Sequence, residues 1–165
     1  SGMAAYPAQA EQMLLVMEII RSIRNIRAEM NVPMGKKAAV WLFASPELLP
    51  LLQQGEGYIL SLAAAAEIRF CASGTEVPSQ AAKAHVRGVD IYLPLAGLID
   101  LEKEIARLEK EIANCRNEMQ RLAAKLSNQG FLAKAPADVV EKERQKQQET
   151  AAKMESLQNH LIILK

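Results

Sequence analysis

The most regular pattern of apolar residues lies in the second half of the chain. Apolar side chains recur there at alternating steps of three and four residues, which places them along one face of a helix. The positions are Leu98, Leu101, Ile105, Leu108, Ile112, Cys115, Met119, Leu122 and Leu126. A seam of this kind, flanked by Glu, Lys and Arg, predicts a long helix that packs against a second helix as a coiled coil.

The pattern is interrupted directly after this seam. Residues 127–130 are turn-forming, and Gly130 is suited to end a helix in the left-handed conformation. Pro136 suits the first turn of a new helix, and Asp138 places negative charge at the positive end of that helix. The interruption therefore predicts a short loop between two helices.

A second helix repeats the spacing of the first. Its seam consists of Val140, Glu143, Gln147, Thr150, Met154, Leu157, Leu161 and Leu164. Because the connecting loop is short, we expect the two helices to form an antiparallel hairpin. The middle of the second seam is polar and would face Cys115 and Met119, so we expect the hairpin to be weakest there.

The residues before the hairpin form shorter elements. The pattern predicts a helix over residues 8–30 that ends at Asn31 and Pro33, a strand over 38–44, a short helix that starts at Pro46 with Ser45 as its cap, another over 58–66, and strands over 68–72, 81–86 and 89–93, the last two joined near Gly88. The expected fold class is α+β. A small helix-on-sheet unit, mostly antiparallel, occupies residues 3–97, and a long antiparallel two-helix coiled-coil hairpin occupies residues 98–165. Ser1 and Gly2 precede Met3 and look like an expression scar.

Composition and charge add few constraints. The net charge of +1 gives no general attraction to nucleic acid. Cys71 and Cys115 lie far apart in the sequence, which predicts free thiols and a reducing, cytoplasmic location. No apolar run reaches the roughly 18 residues that span a bilayer, so no membrane partner is expected. Neither His85 nor His160 belongs to a catalytic or metal-binding motif, so we predict no catalytic residue and no metal site.

A specific motif joins the two long helices. From Lys125 to Glu143 the chain matches every fixed position of the pattern K-L-x-N-x-x-F-x-x-x-A-P-x-x-V-V-x-x-E. In this motif the chain resembles the C-terminal arm of the valyl-tRNA synthetase family. Residues 93–100 resemble the family's entry into the arm, and residues 23–29 resemble the segment that closes its anticodon-binding bundle. The resemblance covers nearly the whole chain.

The resemblance implies a function and partners. Full-length members of the family join valine to its tRNA with ATP and Mg²⁺. This chain lacks the two ATP-binding signatures of the class, so we expect neither a cofactor nor a catalytic site within it. The implied partners are valine tRNA isoacceptors and upstream domains of the same chain, and a monomer is expected. The alternative is a coiled-coil adaptor or oligomerisation module that binds protein, which a stable dimer would favour.

One group of candidate tRNA contacts lies near the end of the first helix. On a helical wheel Arg27 falls inside the apolar stripe, Arg24 at its edge and Arg21 in solvent. The family's anticodon-end location supports contacts from these arginines to tRNA phosphates or bases. They could instead complement the helix dipole or pair with Glu29 or Glu67, and different arginines could do each.

The other group lies in the predicted arm. Its members are Arg107, Arg116, Arg121, Lys125, Phe131 and Lys134. Residues 112–134 carry four cations against Glu118, a balance of +3, whereas residues 100–111 carry five acids against three cations, a balance of −2. The cations form either a solvated face or a surface that contacts tRNA phosphates. Phe131 and Leu132 either close the open end of the coiled coil or stack on tRNA bases.

Overall fold

The computed structural model describes residues 2–165, with side chains from residue 8 onward. The chain divides into two compact units, one that ends at Asp100 and one over Leu101–Lys165. This division lies three residues beyond the boundary expected from the sequence. Two residues are predicted to be an expression scar. Ser1 lies outside the described residues, and Gly2 is the first residue of a helix.

The first unit packs helices on a four-stranded sheet. Its elements are α1 (Gly2–Glu29), β1 (Ala38–Ala44), α2 (Leu49–Gln54), α3 (Glu56–Leu62), β2 (Ala65–Phe70), a 3₁₀ turn (Gly74–Glu76), β3 (Ala81–Val86) and β4 (Val89–Pro94). The strand order is β2-β1-β4-β3. β1 pairs parallel to β2 and antiparallel to β4, and β4 pairs antiparallel to β3. The sheet is therefore mostly antiparallel, and the predicted α+β class is confirmed.

Strict alternation along β1 and β4 creates the core of this unit. Every second residue of both strands is buried, from Ala38 to Ala44 and from Val89 to Leu93. The apolar stripe of α1, with Ile19 and Ile23 completely buried, packs on β3 and β4. The predicted hairpin between β3 and β4 is confirmed. Its two-residue turn has φ of 41° at Arg87 and 81° at Gly88, which fits the right-handed twist of the strands.

Several predicted boundaries in this unit are wrong. The first helix begins at Gly2 rather than residue 8, and its predicted end is confirmed, because Asn31 is left-handed with φ of 55°. Ser45 does not cap α2, which begins at Leu49 with no side-chain cap. The helix predicted over residues 58–66 ends at Leu62, and the strand predicted over 68–72 begins at Ala65. The alanine run 63–66 has no apolar period, so pairing with β1 decides where the strand starts.

The second unit is a helical hairpin. It consists of α4 (Leu101–Ser127), the short α5 (Gln129–Lys134) and α6 (Ala137–Leu164). The ion pair of Lys125 with Glu143 near one end and that of Glu109 with Lys165 at the other show that α4 and α6 run antiparallel. Both predicted seams are confirmed within the helices, because Leu108, Ile112, Cys115 and Leu122 of α4 and Val140, Glu143, Leu157 and Leu164 of α6 are buried. Leu98 precedes α4, so its assignment to the helical seam is wrong.

The tip of the hairpin differs from the predicted loop. Gly130 is not a left-handed cap, because it lies inside α5 and has no positive φ. Asn128 ends the break instead: its side chain accepts a hydrogen bond from the backbone N–H of Phe131 at 3.2 Å and so caps α5. A Cβ at Gly130 would lie 3.2 Å from Oδ1 of Asn128, so glycine leaves room for this cap. Pro136 sits one residue before α6 rather than in its first turn, and Asp138 lies in that turn as predicted.

Candidate nucleic-acid interface

Several cations of the hairpin are paired with carboxylates, including three of those predicted from the sequence. Arg107 pairs with Glu104 and, at 3.1 Å, with Glu111. Arg121 donates two hydrogen bonds to Glu118, at 3.0 and 2.6 Å, and this contact lowers the pKa of the Glu118 carboxyl. The predicted +3 balance of the distal hairpin is therefore not spread evenly over its surface. Exposed ion pairs contribute little to stability, about 0–1 kcal/mol each, so a phosphate group could displace such a carboxylate.

Lys125 connects the seam to the tip. Its ammonium lies 3.4 Å from Oε1 of Glu143 and 5.0 Å from the centre of the Phe131 ring. Lys146 approaches the same Glu143 oxygen at 3.5 Å. The polar middle of the second seam thus contains a buried glutamate that is held between two lysines. Phe131 is only half-buried, so the ring can both cover Lys125 and present an edge to solvent.

These contacts give Glu143 a pH-dependent role. Burial by itself raises the pKa of Glu143, but the two lysines outweigh it and hold this pKa below its usual value. The ionised form is therefore favoured in the folded hairpin. Its stabilising contribution is complete above the carboxyl pKa of the unfolded chain, about 4.3, and is lost as the pH falls through the lower folded value.

We expect acid to destabilise the hairpin through Glu143. In Glu143→Gln the loss of helical thermal stability between neutral pH and about pH 3 should be smaller than in the unsubstituted chain. Circular dichroism melts at several pH values measure this difference. The control is Glu149→Gln, an exposed position of the same helix, which should keep the original pH profile. Equal acid sensitivity in Glu143→Gln and the unsubstituted chain would contradict the role of this contact.

Two of the cations predicted as contacts in the hairpin carry no ion pair within the described residues. Arg116 of α4 and Lys134 of α5 are both exposed. Arg144 of α6, which the sequence analysis did not select, is exposed and unpaired in the same way. The sequence could have indicated Arg144, because this residue directly follows the seam residue Glu143 and therefore lies at the edge of the seam. These three side chains are available to an anionic partner without breaking an existing pair.

The three arginines of α1 have different surroundings. Arg27 is only 6% exposed, and its Nη2 donates hydrogen bonds to the backbone carbonyls of Pro33, at 3.0 Å, and Lys36, at 2.7 Å. Its predicted place in the apolar stripe is confirmed. The suggested ion pair with Glu29 or Glu67 is wrong, because carbonyls of the turn after α1 are closer, and Glu67 pairs with Arg69 at 3.2 Å.

Arg24 and Arg21 are both exposed. Nε of Arg24 donates to the carbonyl of Leu62 at 2.8 Å, so one edge of its guanidinium stays free. Arg21 lines a shallow depression beside His85 and Arg87. Arg24 and Arg27 line a cleft of about 340 Å³ whose other walls are mainly apolar, formed by Ala28, Val32, Met34, Leu62, Ala63 and Ala64. The three predicted contacts of α1 therefore do not form one basic cluster.

The histidines and cysteines do not form a metal site among the described residues. No three His, Cys, Asp or Glu side chains lie together as metal ligands there. Nδ1 of His85 lies 2.7 Å from Asp90, its cross-strand neighbour, in an exposed pair. Cys71 and Cys115 are free thiols, as predicted, and both are buried. In the part of the chain that the structure describes, no helix has both the length and the apolar character of a membrane span.

Comparisons with known proteins point to one family. Residues 100–165 match the family model described as the valyl tRNA synthetase tRNA binding arm. The chain is 43% identical over 150 residues to the valine–tRNA ligase of Clostridium acetobutylicum, covering 91% of the chain and 17% of the relative. It is 47% identical over 147 residues to the enzyme of Carboxydothermus hydrogenoformans, covering 88% and 17%. For the Bacillus subtilis enzyme the identity is 37% over 159 residues, covering 94% and 18%.

These matches extend over both units of the structure. The α+β unit and the helical hairpin together match the C-terminal region of proteins of the aminoacyl-tRNA synthetase class. The chain belongs to the valyl-tRNA synthetase family. It spans about 17% of the length of the curated relatives that it matches, at their C-terminal end. The predicted family resemblance is confirmed, and the protein adaptor alternative is not favoured.

Proposed function

We propose that this chain is the tRNA-binding part of a valine–tRNA ligase, and that its helical hairpin holds tRNA while other parts of the enzyme catalyse aminoacylation. The observation that carries the proposal is the agreement of two boundaries. The family model of the tRNA binding arm matches residues 100–165, and the second structural unit begins at Leu101. The segment named for tRNA binding in relatives is thus a folding unit of its own in this chain.

The physical role of such an arm is positioning. Contacts far from the reacting atoms fix the orientation of a substrate, and their binding energy can lower the barrier at a distant site. Exposed cations at the distal end, Arg116, Lys134 and Arg144, together with Arg21 and Arg24 of the first unit, would contact phosphates of valine tRNA isoacceptors. Arg107, Arg121 and Lys125 could add to this surface if phosphate displaced their carboxylates. Phe131 would add a stacking contact at the tip.

The catalytic components lie elsewhere in this proposal. ATP and Mg²⁺ would be used for the activation of valine in the upstream part of the enzyme, since this chain lacks the two ATP-binding signatures of the class. The isolated chain should therefore show no valine-dependent pyrophosphate exchange. The proposal further places the enzyme in the cytoplasm, with the upstream part of the same protein as a covalent partner. A monomer is expected because α6 covers the seam of α4 within one chain.

The test compares two reactions of the complete enzyme that contains this region. Five arm cations, Arg107, Arg116, Arg121, Lys125 and Lys134, are changed together to Gln. We expect the KM for tRNA in aminoacylation to rise at least tenfold, while valine-dependent pyrophosphate exchange, which needs no tRNA, stays near normal. The control changes Lys103, Lys142 and Lys153 to Gln and should affect the KM less. An unchanged KM in the fivefold variant, or an equal loss of both reactions, would contradict the proposal.

A further inference from the structure

The two long sides of the hairpin differ in how their charged side chains are paired. One side, here called the Glu109 side, is marked by the 2.8 Å ion pair of Glu109 in α4 with Lys165 in α6. The opposite side, here called the Glu118 side, is marked by a cleft that contains Glu111, Glu118 and Lys153. Residues seven apart on a coiled-coil helix lie on the same side. The sequence therefore assigns further residues to each side from these contacts.

Most charged side chains of the Glu118 side are paired with one another. At the seven-residue spacing, the residues of α4 on this side are Glu104, Glu111, Glu118 and Lys125. The residues of α6 on the same side include Lys146 and Lys153. Arg107 and Arg121 lie beside these glutamates and pair with them. Lys125 and Lys146 both contact Glu143. An anion that approached Arg107, Arg121, Lys125 or Lys146 would have to displace a carboxylate partner. Lys153 is exposed and carries no ion pair among the described residues, so it stays open to an anion on this side.

The Glu109 side has free arginines and small side chains. The same seven-residue spacing brings Arg116 and Ala123 of α4 to it, together with Arg144 and Ala151 of α6. Both arginines are exposed, and no ion pair holds either of them within the described residues. Gln120 and Gln148 occupy the adjoining positions, and both are exposed.

Acidic residues border this stretch without interrupting it. Along α4 the residues of the Glu109 side from Arg116 to the end of the helix include no carboxylate, and along α6 Glu141 and Glu155 flank the stretch at its two ends. Alanines between two cations leave a low surface, so a bulky partner can approach the helices closely. Glutamine amides can donate to phosphate oxygens or to ribose hydroxyls.

The two arginines are far enough apart to contact different phosphates. Lys125 contacts Glu143 across the hairpin, so Arg144 lies close to the level of residue 124 on α4. At a rise of about 1.5 Å per residue, Arg116 is then roughly 12 Å away along the hairpin axis. That separation allows the two side chains to reach two different phosphates along a sugar–phosphate backbone.

We propose that the hairpin binds RNA with its Glu109 side, where Arg116 and Arg144 each contact a backbone phosphate and the alanines and glutamines between them lie against the ribose–phosphate chain. The partner is the backbone of structured, helical RNA, because the side offers charge and shape but no aromatic platform for unpaired bases. This inference rests on the proposed function. It adds Arg144 as a contact and assigns Arg121 and Arg107 to internal pairing.

The test uses two matched double variants of the whole chain. One carries Arg116→Gln and Arg144→Gln, and the other carries Arg107→Gln and Arg121→Gln. Each removes two arginines from the hairpin and lowers the net charge by the same amount, so a general charge effect would be equal. Filter binding of a valine tRNA transcript at several salt concentrations gives the salt slope of the binding constant for each variant. Circular dichroism confirms that both variants keep their helical content.

We expect the Arg116/Arg144 variant to lose roughly 0.7–0.9 of the salt slope per arginine, and the Arg107/Arg121 variant to keep the slope of the unsubstituted chain. An equal loss in both variants, or a greater loss in the Arg107/Arg121 variant, would overturn the assignment of the side and leave the proposed function standing. If the unsubstituted chain itself shows no salt-dependent binding to tRNA, the proposed function and this inference both fail.

Discussion

Replacing Arg27 with alanine is expected to lower the free energy of unfolding of the first unit by about 2–4 kcal/mol, because hydrogen bonds from a charged donor contribute about 1.5–3 kcal/mol each. Arg27 is 6% exposed, and its guanidinium donates to the carbonyls of Pro33 and Lys36. These two carbonyls belong to the turn that connects α1 to the sheet. Without Arg27 they lose their donor, and the apolar stripe of α1 gains a cavity.

Urea denaturation followed by the fluorescence of Trp41 measures this loss. Trp41 is the one tryptophan of the sequence and lies in β1, so its signal reports the first unit. The control is Arg21→Ala on the same helix, where the exposed side chain should change stability by no more than about 0.5 kcal/mol. If the two variants unfold at the same urea concentration, the contacts of Arg27 do not stabilise the unit.

Replacing Leu122 with alanine is expected to cost the hairpin about 2–5 kcal/mol, the range measured for buried leucines in other proteins. Leu122 is completely buried in the seam of α4, and its loss leaves a cavity between two helices that cannot easily move closer. The position lies beside the polar stretch of the α6 seam, where few other apolar residues are fully buried. Thermal unfolding followed by circular dichroism at the helical band measures the effect.

Leu132→Ala is the matched control for this prediction. It makes the same chemical change in the same unit, but Leu132 is 37% exposed in α5 and should contribute about 1 kcal/mol or less. A Leu122→Ala hairpin that melts with the control would show that the seam is not the main source of its stability.

The seams were predictable because their period is long and regular. Leu108 and Ile112 are buried, as the spacing of the seam predicts. The hairpin of β3 and β4 turns at Gly88, also as predicted. The start of β2 was not predictable, because the alanine run before it fits a helix and a strand equally well. Only pairing with β1, a contact distant in sequence, selects the strand.

The tip of the hairpin shows a competition between local signals. Gly130 looks like a helix terminator in isolation, but Asn128 two residues earlier supplies a side-chain cap and starts a new helical turn. The glycine then leaves space beside the cap and does not adopt a left-handed conformation. The sequence contains both a possible helix terminator, Gly130, and a possible cap, Asn128, and its pattern alone does not decide between them.

The candidate interface was only partly accessible from sequence. The count of cations in the distal hairpin is correct, but it treats Arg116 and Arg121 alike. Both are exposed in the structure, but Arg121 pairs with Glu118, and Arg116 has no ion pair among the described residues. The same limit hid Arg144, which lies in a stretch of mixed charge. Ion pairing between neighbouring turns depends on rotamers, so sequence spacing alone does not separate free from paired charges.

The most direct measurement of the central claim is the salt dependence of tRNA binding by the unsubstituted 165-residue chain. If the hairpin binds tRNA through phosphate contacts, the logarithm of the binding constant should fall linearly with the logarithm of salt concentration. Two phosphate contacts, at about 0.7 each, predict a slope of about −1.4 or steeper. Binding that does not change with salt, or no binding at low salt, would contradict a phosphate-contacting arm.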